Sequence, residues 1–419
     1  MRSVRVFRRL LGVEHTVIES VELIKDEELS DEEVITASVR PVASRALRCS
    51  RCERRCPYRD AGDGRRRWRT LDLGTVKAYL EADAPRVQCP EHGVVVAAVP
   101  WARPKARHTH AFEDTCAWLA AHSAFTVVAA MLRITWRSVA GIVTRVVADL
   151  AGKRDRLDGL RKIGIDEIAH RKGHRYLTVV VDHETGRLVW AAPGRDTDTL
   201  LKFFDDLGPE RSAALTHVSA DGAEWIHAAV KERAPQAVIA LDPFHVVAWA
   251  TKALDEVRRG IWNKLRWEGK NSYAASVKGT RWVLLKNLLD LTGEQKTTLA
   301  SISKTNKTLY RAYLLKEQLR YVFEAKGEEG RRLLAGWLAW AKRSRIPEFS
   351  KLAKTIEKYR PLIWNTLDHN LSNARVEATN THLRVLTRRA YGFHSPEALI
   401  AMAMLTRGGL CPPLPGRAA

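Results

Sequence analysis

The stretch between residues 162 and 241 constrains the fold most, because its hydrophobic pattern changes from that of successive strands to that of alternating helices and strands. An antiparallel meander with a Glu-Thr-Gly turn comes first, and helices then separate the remaining strands. The predicted elements are strands at 162–166, 175–182 and 187–192, a helix at 196–207, a strand at 214–220, a helix at 224–233 and a strand at 237–241.

This order is that of the ribonuclease H-like fold, a mixed α/β sheet in which the first and fourth strands are neighbours. Asp166 is predicted to end the first strand and Asp221 follows the fourth, so the sheet would place them side by side. An acid at the end of the apolar run Ile163-Gly164-Ile165 is costly to bury without a metal or a partner. Glu377, on a predicted helix at 373–389, is the third acid of the set.

Three convergent carboxylates suit phosphodiester chemistry. Two Mg²⁺ ions about 3.5 to 4 Å apart can activate a hydroxyl and stabilise both the attacking and the leaving oxygen. Hard cations prefer carboxylate oxygens, and Asp166 could touch both ions while Asp221 and Glu377 each hold one. For Glu377, on a polar helix, a plain surface charge is the competing interpretation.

The run Asp242-Pro-Phe-His245 leaves the second ligand open, because Asp242 ends the fifth strand and could replace Asp221. His245 lies one helical turn later. It could orient a metal-bound water or contact a phosphate, or it could be a histidine satisfied by the core.

The charge of the chain points to a polyanionic partner. The 419 residues include 69 Lys and Arg against 48 Asp and Glu, a formal net charge of +21, and this excess favours nucleic acid over a merely soluble cationic protein. A hydrophobic content of 45% excludes a mostly disordered chain. No apolar run approaches the roughly 20 residues that span a bilayer, and the N-terminus lacks the features of a signal peptide, so we expect a cytoplasmic, nucleoid-associated protein without membrane contact.

Four of the six cysteines lie close together in the sequence, which in a reducing compartment predicts metal binding before disulfides. Cys49 and Cys52 form one pair at a spacing of three, and Cys89 and His92 form another, as in a zinc-ribbon with a structural Zn²⁺. The alternative is that these residues are ordinary thiols and a surface histidine, and Cys56 could replace one ligand.

Residues 109–150 have helical periodicity typical of a helix-turn-helix, with helices predicted at 110–122, 127–134 and 135–147. Thr135 is a plausible N-cap of the third helix. The predicted inner face of that helix comprises Trp136, Val139, Ile142, Val143 and Val146. The outer face would present Arg137, Ser138 and Arg145 to DNA, with Arg137 the best candidate to reach a guanine edge. A generic three-helix bundle fits the same periodicity.

Residues 243–370 have an entirely helical, basic pattern and are interpreted as an insertion. The helix that follows carries Glu377 and, on nearby turns, the candidate DNA-binding residues Arg384 and Arg388. The predicted organisation is a zinc-ribbon-containing domain (1–108), a helix-turn-helix (109–150), the first part of the catalytic core (151–242), the helical insertion (243–370), the C-terminal helices of the core (371–410) and a tail (411–419).

The motifs together resemble a known family. The runs at 163–182, 242–259, 372–380 and 388–393 are similar to those of the DDE insertion-sequence transposases of the ISL-three group, and the resemblance covers nearly the whole chain. It implies a bacterial mobile-element enzyme with a zinc-ribbon and a helix-turn-helix before its catalytic domain. Such an enzyme binds the terminal inverted repeats of its element, cuts the DNA there and joins the ends to target DNA, using Mg²⁺ or Mn²⁺.

The resemblance places the acidic triad at Asp166, Asp221 and Glu377, with Asp242 and His245 in the motif after the fifth strand. Many members of the family have cysteine where His92 stands. Since two element ends must be held at once, we expect a homo-oligomer on double-stranded DNA. A domesticated, non-catalytic DNA-binding regulator and a nuclease without strand transfer are the alternatives.

Overall fold

The computed structural model describes residues 2–26, 32–171, 173–371, 373–390 and 392–417, so residues 418 and 419 of the predicted tail lie outside the described part. The chain folds into two units, each packed mainly against itself. Unit 1 comprises Met1–Arg156 and Val385–Ala419, and unit 2 comprises Leu157–Arg384. Residues 385–410, assigned to the catalytic core from the sequence, are thus grouped with the N-terminal residues.

Unit 1 contains two antiparallel or mixed sheets and a helical bundle. A four-stranded sheet has the order β1-β2-β5-β4, and a three-stranded sheet has the order β3-β6-β7. The strands are β1 (Thr16–Asp26), β2 (Glu32–Pro41), β3 (Tyr58–Asp60), β4 (Arg65–Leu73), β5 (Val76–Asp83), β6 (Arg86–Cys89) and β7 (Gly93–Val96). The helices are α1 (Arg2–Leu10), α2 (His110–His122), α3 (Phe125–Leu132) and α4 (Trp136–Lys153), and α17 (Pro396–Arg407) near the C-terminus.

The bundle has the predicted turn between its second and third helices. Arg133 ends α3 in the left-handed conformation, with φ 54°, and the axes of α3 and α4 differ by 99°. Thr135 caps α4, because its hydroxyl accepts the N–H of Ser138. The C-terminal helix α17 packs against α4, so a segment distant in sequence completes the bundle.

Unit 2 is built on a five-stranded sheet of order β10-β9-β8-β11-β12. Its strands are β8 (Lys162–Arg171), β9 (Arg175–Asp182), β10 (Leu188–Pro193), β11 (His217–Ala220) and β12 (Val238–Leu241). The predicted neighbourhood of the first and fourth strands is confirmed, since β11 pairs with β8 in parallel. One prediction is wrong: Asp166 does not end its strand, because β8 continues to Arg171 in register with β9.

Helices cover this sheet and form the rest of unit 2. They are α5 (Thr197–Leu207), α6 (Pro209–Ala214), α7 (Glu224–Arg233), α8 (Pro243–Trp267), α9 (Asn271–Gly279), α10 (Arg281–Leu285), a 3-10 turn at Leu288–Asp290, α11 (Gly293–Thr305), α12 (Lys307–Ala325), α13 (Gly327–Arg343), α14 (Pro347–Lys358), α15 (Arg360–His369) and α16 (Ala374–Arg389), whose last residues fall in unit 1. The segment between β12 and α16 has the predicted all-helical character.

The two faces of β8 pack against different helices of unit 2. Ile163 and Ile165 are fully buried in a core shared with α5 and α7, including Phe203 and Ile226. Side chains alternate along a strand, so Gly164 and Asp166 face the other side. There Gly164 lies against Val376 of α16, which fixes the helix that carries Glu377 over this half of the sheet.

Among the described residues, no single helix is long and apolar enough to cross a membrane; α3 and α4 meet the combined length and composition criterion only as a pair, which is bent by 99°.

Candidate metal centres and active site

The zinc-ribbon residues form a compact donor set. The ligand atoms of Cys49, Cys52, Cys89 and His92 all lie within 4.8 Å of one another. The Sγ atoms of Cys52 and Cys89 are 3.7 Å apart, and His92 Nδ1 lies 3.6 Å from Cys49 Sγ and 3.5 Å from Cys89 Sγ. The edges of a tetrahedron with Zn–S near 2.3 Å and Zn–N near 2.0 Å measure about 3.5 to 3.8 Å, so the set fits zinc.

Two tight turns position these donors. The N–H of Arg51 donates to Cys49 Sγ at 3.4 Å, and the β6–β7 hairpin turns through Gly93 at φ 66° directly after His92. Burial opposes ionisation of Cys89, but hydrogen bonds from His92 and from nearby backbone N–H groups lower the pKa of this thiol to about 6. Cys56, an alternative ligand by sequence, instead donates its S–H to the Arg54 carbonyl at 3.3 Å and is not part of the four-residue set.

The predicted acidic residues gather on the α16 side of the sheet in unit 2. Ser219 of β11 pairs with Gly164 of β8, so the register carried two residues further places Asp221 level with Asp166. Ala220 pairs with Leu241 of β12, which places Asp242 in the same row. Asp166 lies within β8, and Asp221 and Asp242 directly follow β11 and β12. The three carboxylates are therefore at the same level of three adjacent parallel strands, and neighbouring strands in a sheet are about 4.8 Å apart.

Glu377 lies near this row of acids, on helix α16. Its side chain is exposed on the first turn of α16, and its charge is close enough to raise the pKa of Asp242. His245, on the first turn of α8, is half-buried, with Nε2 3.8 Å from Asp242 Oδ2. All five predicted catalytic residues therefore belong to one neighbourhood of unit 2.

Burial makes this neighbourhood unfavourable for negative charge. Burial raises the pKa of Asp166 to about 6; the N–H of Glu167 and the charge of His245 oppose the shift, and the charges of Asp221 and Asp242 add to it. The pKa of Asp242 is also raised, first by burial and further by Glu377, against the opposing effect of His245. A cluster with raised carboxyl pKa values gains from a bound cation.

Two asparagines of the α16 segment complete the site, and neither was among the residues predicted to act there. Asn380 Nδ2 donates to Asp166 Oδ2 at 2.7 Å, while its Oδ1 is buried and has no hydrogen-bond partner among the described residues. The backbone N–H of Asn373 donates to Asp242. Both flank Glu377 at spacings of four and three, the period that places residues on one helical face, and this is the signal that could have identified them.

A short hydrogen-bond chain anchors the start of α16. Ser219 donates to Asn373 Oδ1, so the Nε2–H of His183 must donate to Ser219 Oγ, at 2.5 Å. Burial, with the nearby Arg375 charge, lowers the pKa of His183 to about 4, which keeps this imidazole neutral. The chain links β9, β11 and the turn before Glu377.

The donor set fits a hard divalent cation, since it offers carboxylate oxygens and the unpartnered amide oxygen of Asn380. The carboxylates are nevertheless not drawn tightly together. Among the described residues, only the cysteine and histidine set brings three or more ligand atoms within 4.8 Å of one another.

The predicted DNA-binding residues have different environments. Arg137 is exposed, with its guanidinium 5.6 Å from the Trp136 ring centre. Ser138 is half-buried, and its Oγ lies 3.0 Å from the Oγ1 of the capping Thr135. Arg384 and Arg388 are exposed, one turn apart on α16.

Arg145 has a partner that the sequence pattern does not predict, and one expectation for the inner face of the third helix is wrong. Arg145 is half-buried: its Nε donates to Glu113 Oε1 at 2.8 Å, and Glu113 is completely buried. A buried carboxylate requires such a partner, so this ion pair joins α4 to α2. Trp136 is 41% exposed and stacks on His394 rather than joining the inner face.

Comparison with known proteins agrees with this geometry. A family model described as a transposase matches residues 163–403, which include the acidic row and α16. The helix-turn-helix domain of transposase family ISL3 matches residues 97–147, and the zinc-finger of transposase IS204/IS1001/IS1096/IS1165 matches residues 45–92.

Full-length relatives carry the same description. The transposase for insertion sequence element IS1557 of Mycobacterium tuberculosis, in strains CDC 1551 / Oshkosh and H37Rv, is 54% identical over 437 residues, covering 100% of this chain and 98% of the relative. The transposase for IS1001 of Bordetella parapertussis is 28% identical over 364 residues, covering 86% of this chain and 88% of the relative. With its catalytic, helix-turn-helix and zinc-finger regions all matched, the chain belongs to transposase family ISL3 of the insertion-sequence transposases.

Proposed function

We propose that this transposase cleaves DNA at the terminal inverted repeats of its own insertion element and joins the ends to target DNA, with Asp166, Asp221 and Glu377 holding Mg²⁺ or Mn²⁺ on a ribonuclease H-like core. The observation that carries the proposal is the row of Asp166, Asp221 and Asp242 at one height of three parallel strands, with Glu377 of α16 beside it.

The strand order supports the ribonuclease H-like assignment, because the antiparallel meander β8–β9–β10 is followed by the parallel strands β11 and β12. Asp221 is the better second ligand because β11 directly neighbours β8, whereas Asp242 lies one strand further from Asp166. Each of the two acids accepts one backbone N–H, Asp242 from Phe244 at 3.2 Å and Asp221 from Ala223 at 2.9 Å, so the preference rests on strand order alone.

When bound, the divalent cation would activate the attacking hydroxyl and stabilise the charge that develops on the phosphate. The amide of Asn380 holds Asp166 in place through its Nδ2. His245 Nε2 lies 3.8 Å from Asp242 Oδ2, and the charge of His245 lowers the pKa of Asp242 against the effect of burial. Carboxylates without a cation repel one another, and no three ligand atoms of these acids lie within 4.8 Å of one another among the described residues, so we expect their side chains to move closer together when a cation binds.

The remaining modules would select and hold the substrate. A structural Zn²⁺ on Cys49, Cys52, Cys89 and His92 would stiffen the turns of the ribbon. Arg137, together with Arg384 and Arg388, would contact double-stranded DNA, and holding two ends would require a dimer or larger assembly on the nucleoid DNA.

The test is cleavage of a linear fragment that carries the element ends, in Mg²⁺ or Mn²⁺, with end binding measured in parallel. Asp166→Asn, Asp221→Asn and Glu377→Gln should each abolish cleavage and keep binding. Glu324→Gln, which changes an exposed acid on α12, is the matched control and should cut normally.

Asp242→Asn decides the second ligand. Normal cutting by Asp221→Asn with none by Asp242→Asn would move the ligand to position 242. If none of the four acids matters, or if the wild-type chain binds its ends without cutting them in either metal, the catalytic proposal is wrong.

A further inference from the structure

Unit 1 contains a cleft of about 1230 Å³ that is separate from the acidic row, and its walls are strongly basic. Nine of its lining residues are Arg or Lys, whereas only Glu53 and Asp149 are acidic. The walls come from the cysteine knuckle, from strand β4, from the segment before α2 and from the end of α4. All of these lie in one compact unit.

Several of the cations in the walls already have acidic partners and are not available to a ligand. Arg66 pairs with Asp63, Arg67 with Glu81, and Lys153 with Asp149. Arg103 is 4% exposed and contacts the carboxylates of Glu113, Asp114 and Asp149. These pairs offset part of the positive charge of the walls.

Four cations at the cleft remain exposed and lie outside every ion pair found among the described residues: Arg45, Arg51, Lys105 and Arg107. Arg51 lies between the ribbon cysteines Cys49 and Cys52, and Arg45 precedes them. Lys105 and Arg107 lie in a different segment, the one that leads into α2.

The segment from Arg103 to Arg107 is fixed at both ends. Arg103 is anchored by its three acids, and the carbonyl of Arg107 accepts the N–H of Arg69 at 2.9 Å. Between them, the N–H of Ala106 donates to the Arg103 carbonyl at 3.0 Å, and Lys105 has a left-handed φ of 61°. Because the backbone of this segment is fixed, the entropy cost of binding falls mainly on the Lys105 and Arg107 side chains.

We propose that this cleft is a binding site for the phosphate backbone of duplex DNA, gripped by Arg45 and Arg51 from the ribbon and by Lys105 and Arg107 from the segment before α2. The partner is a polyanion, because the four cations that lie outside the ion pairs line one cleft and come from two separate segments of the chain, whereas Arg103 is already paired. Phosphate contacts of this kind add affinity and fix orientation but do not read sequence.

This inference rests on the proposed function for its substrate, the DNA at the element ends. It adds a contact surface that is distinct from the outer face of α4, so the ribbon and the helix-turn-helix would hold the same duplex through different groups. Sequence preference would then remain with α4, and a large part of the salt dependence would come from the cleft.

The experiment compares the full-length chain with R45Q/R51Q/K105Q/R107Q in binding to a duplex of the element end and to an unrelated duplex, over a series of salt concentrations without Mg²⁺. Each lost phosphate contact lowers the slope of log affinity against log salt by about 0.9, so the slope should fall by roughly 3 to 4. The preference for the element end over the unrelated duplex should not change.

The matched control is R9Q/K25Q/R40Q/R59Q, which removes the same charge from exposed positions of unit 1 that do not line this cleft. Its slope should change by less than about 1, the value of a single phosphate contact. Equal slopes for the two variants, or a wild-type chain that does not bind duplex DNA, would overturn the proposal.

A second measurement uses the wild-type protein and does not depend on how a variant folds. Bound duplex should protect the Lys105 amine from acetylation, while the exposed Lys25 amine remains reactive. Equal reactivity of Lys105 with and without DNA would also overturn the proposal. Cleavage of the element ends is scored separately, so an enzyme that cuts normally with an unchanged salt slope would refute the cleft and keep the proposed function.

Discussion

Asn380 lies where α16 meets the sheet, and it is the polar side chain that touches Asp166 most directly from that helix. We predict that Asn380→Ala raises the Mg²⁺ concentration needed for half-maximal cleavage by about 10- to 100-fold, because an outer hydrogen bond that orients a metal ligand typically has this effect. The measurement is the cleavage rate as a function of metal concentration.

Thr381→Ala, on the exposed side of the same helix, is the control for that experiment. It should leave the metal dependence unchanged. An Asn380→Ala enzyme with wild-type metal dependence would show that Asn380 has only a structural role.

Arg137 and Arg145 are eight positions apart on α4 but have different environments, since Arg137 is exposed and Arg145 is half-buried and paired with Glu113, and this gives a second prediction. Arg137→Ala should weaken duplex binding and change the free energy of unfolding by no more than about 0.5 kcal/mol, as for an exposed side chain. Arg145→Ala should cost about 1 to 3 kcal/mol, because Glu113 loses a charged hydrogen bond in a buried place. Urea unfolding and duplex titration separate the two; equal stability of both variants would contradict the assignment.

The residue types of the acidic site could be predicted from the sequence, since Asp166, Asp221, Asp242 and Glu377 stand at the ends of clear patterns. The ion pair of Arg145 could not be predicted. Its helical position suits an outer face, and its partner, the buried Glu113, belongs to another helix, α2. Such pairings depend on tertiary packing, which periodicity in one helix does not contain.

At the scale of elements, the contact of β8 with α16 depends on the absence of a side chain at Gly164. A Cβ there would overlap Val376 and would lie 3.0 Å from His183 Nε2 and 3.2 Å from Asn373 Oδ1. Gly164→Ala should therefore destabilise unit 2 by about 1 to 3 kcal/mol and reduce cleavage by moving α16 and Glu377.

Gly260→Ala in α8 is the counterpart of this change, because a Cβ at that position meets open space. Gly260→Ala should leave stability unchanged or raise it by about 0.5 to 1 kcal/mol, as expected for alanine in a helix interior. Thermal unfolding and cleavage assays of both variants test the contact, and an active, fully stable Gly164→Ala enzyme would contradict it.

The zinc-ribbon gives a prediction about ligand type. His92→Cys should retain one Zn²⁺ per chain because thiolate can replace imidazole in a tetrahedral site, while His92→Ala should bind zinc more weakly and lose several degrees of melting temperature in a chelator. Zinc content and melting curves measure both effects. Full zinc retention by His92→Ala would mean that another residue is the fourth ligand.

The existence of the elements in unit 2 was well predicted, and helix α7 has the predicted bounds, because its periodicity is uninterrupted between two short strands. The length of β8 was not predicted correctly. Its polar second half, from Asp166 onward, lacks apolar alternation and is held in the strand by pairing with β9, a long-range partner.

At the scale of the whole molecule, acid should weaken the fold through buried neutral histidines. Burial lowers the pKa of His108 to about 4, helped by Arg145, Arg69 and Arg107, and lowers that of His183 to about 4 as well. Below about pH 6.5 these histidines bind protons in the unfolded chain, whereas in the folded chain they remain neutral until the pH approaches about 4. The stability that these histidines contribute is therefore complete above about pH 6.5 and is lost progressively as the pH falls toward about 4.

His108→Phe tests this linkage, because phenylalanine can keep the stacking on Phe112, whose ring centre lies 4.7 Å away, but cannot titrate. The free energy of unfolding of this variant should fall less between about pH 7 and about pH 4.5 than that of the wild type. Parallel pH profiles would contradict a protonation cost at His108.

The grouping of distant segments is the feature of the whole molecule that sequence patterns express least. Helix α17 packs on α4 although more than half of the chain lies between them, and the division between the two units falls inside α16. The helical pattern of apolar and polar residues continues through α16 without interruption, so no change of composition marks this division. The order of motifs predicted the modules, but only the packing assigns the last residues to unit 1.

The central claim is that strands β8 and β11 and helix α16 bring their acids to one cation-binding site. Fe²⁺ that replaces Mg²⁺ and generates hydroxyl radicals cleaves the backbone close to its own ligands, so the protein fragments report the site directly. The account predicts cuts near positions 166, 221 and 377 that excess Mg²⁺ suppresses and that Asp166→Asn abolishes. Cuts confined to other segments, or cuts near only one of these three positions, would contradict it.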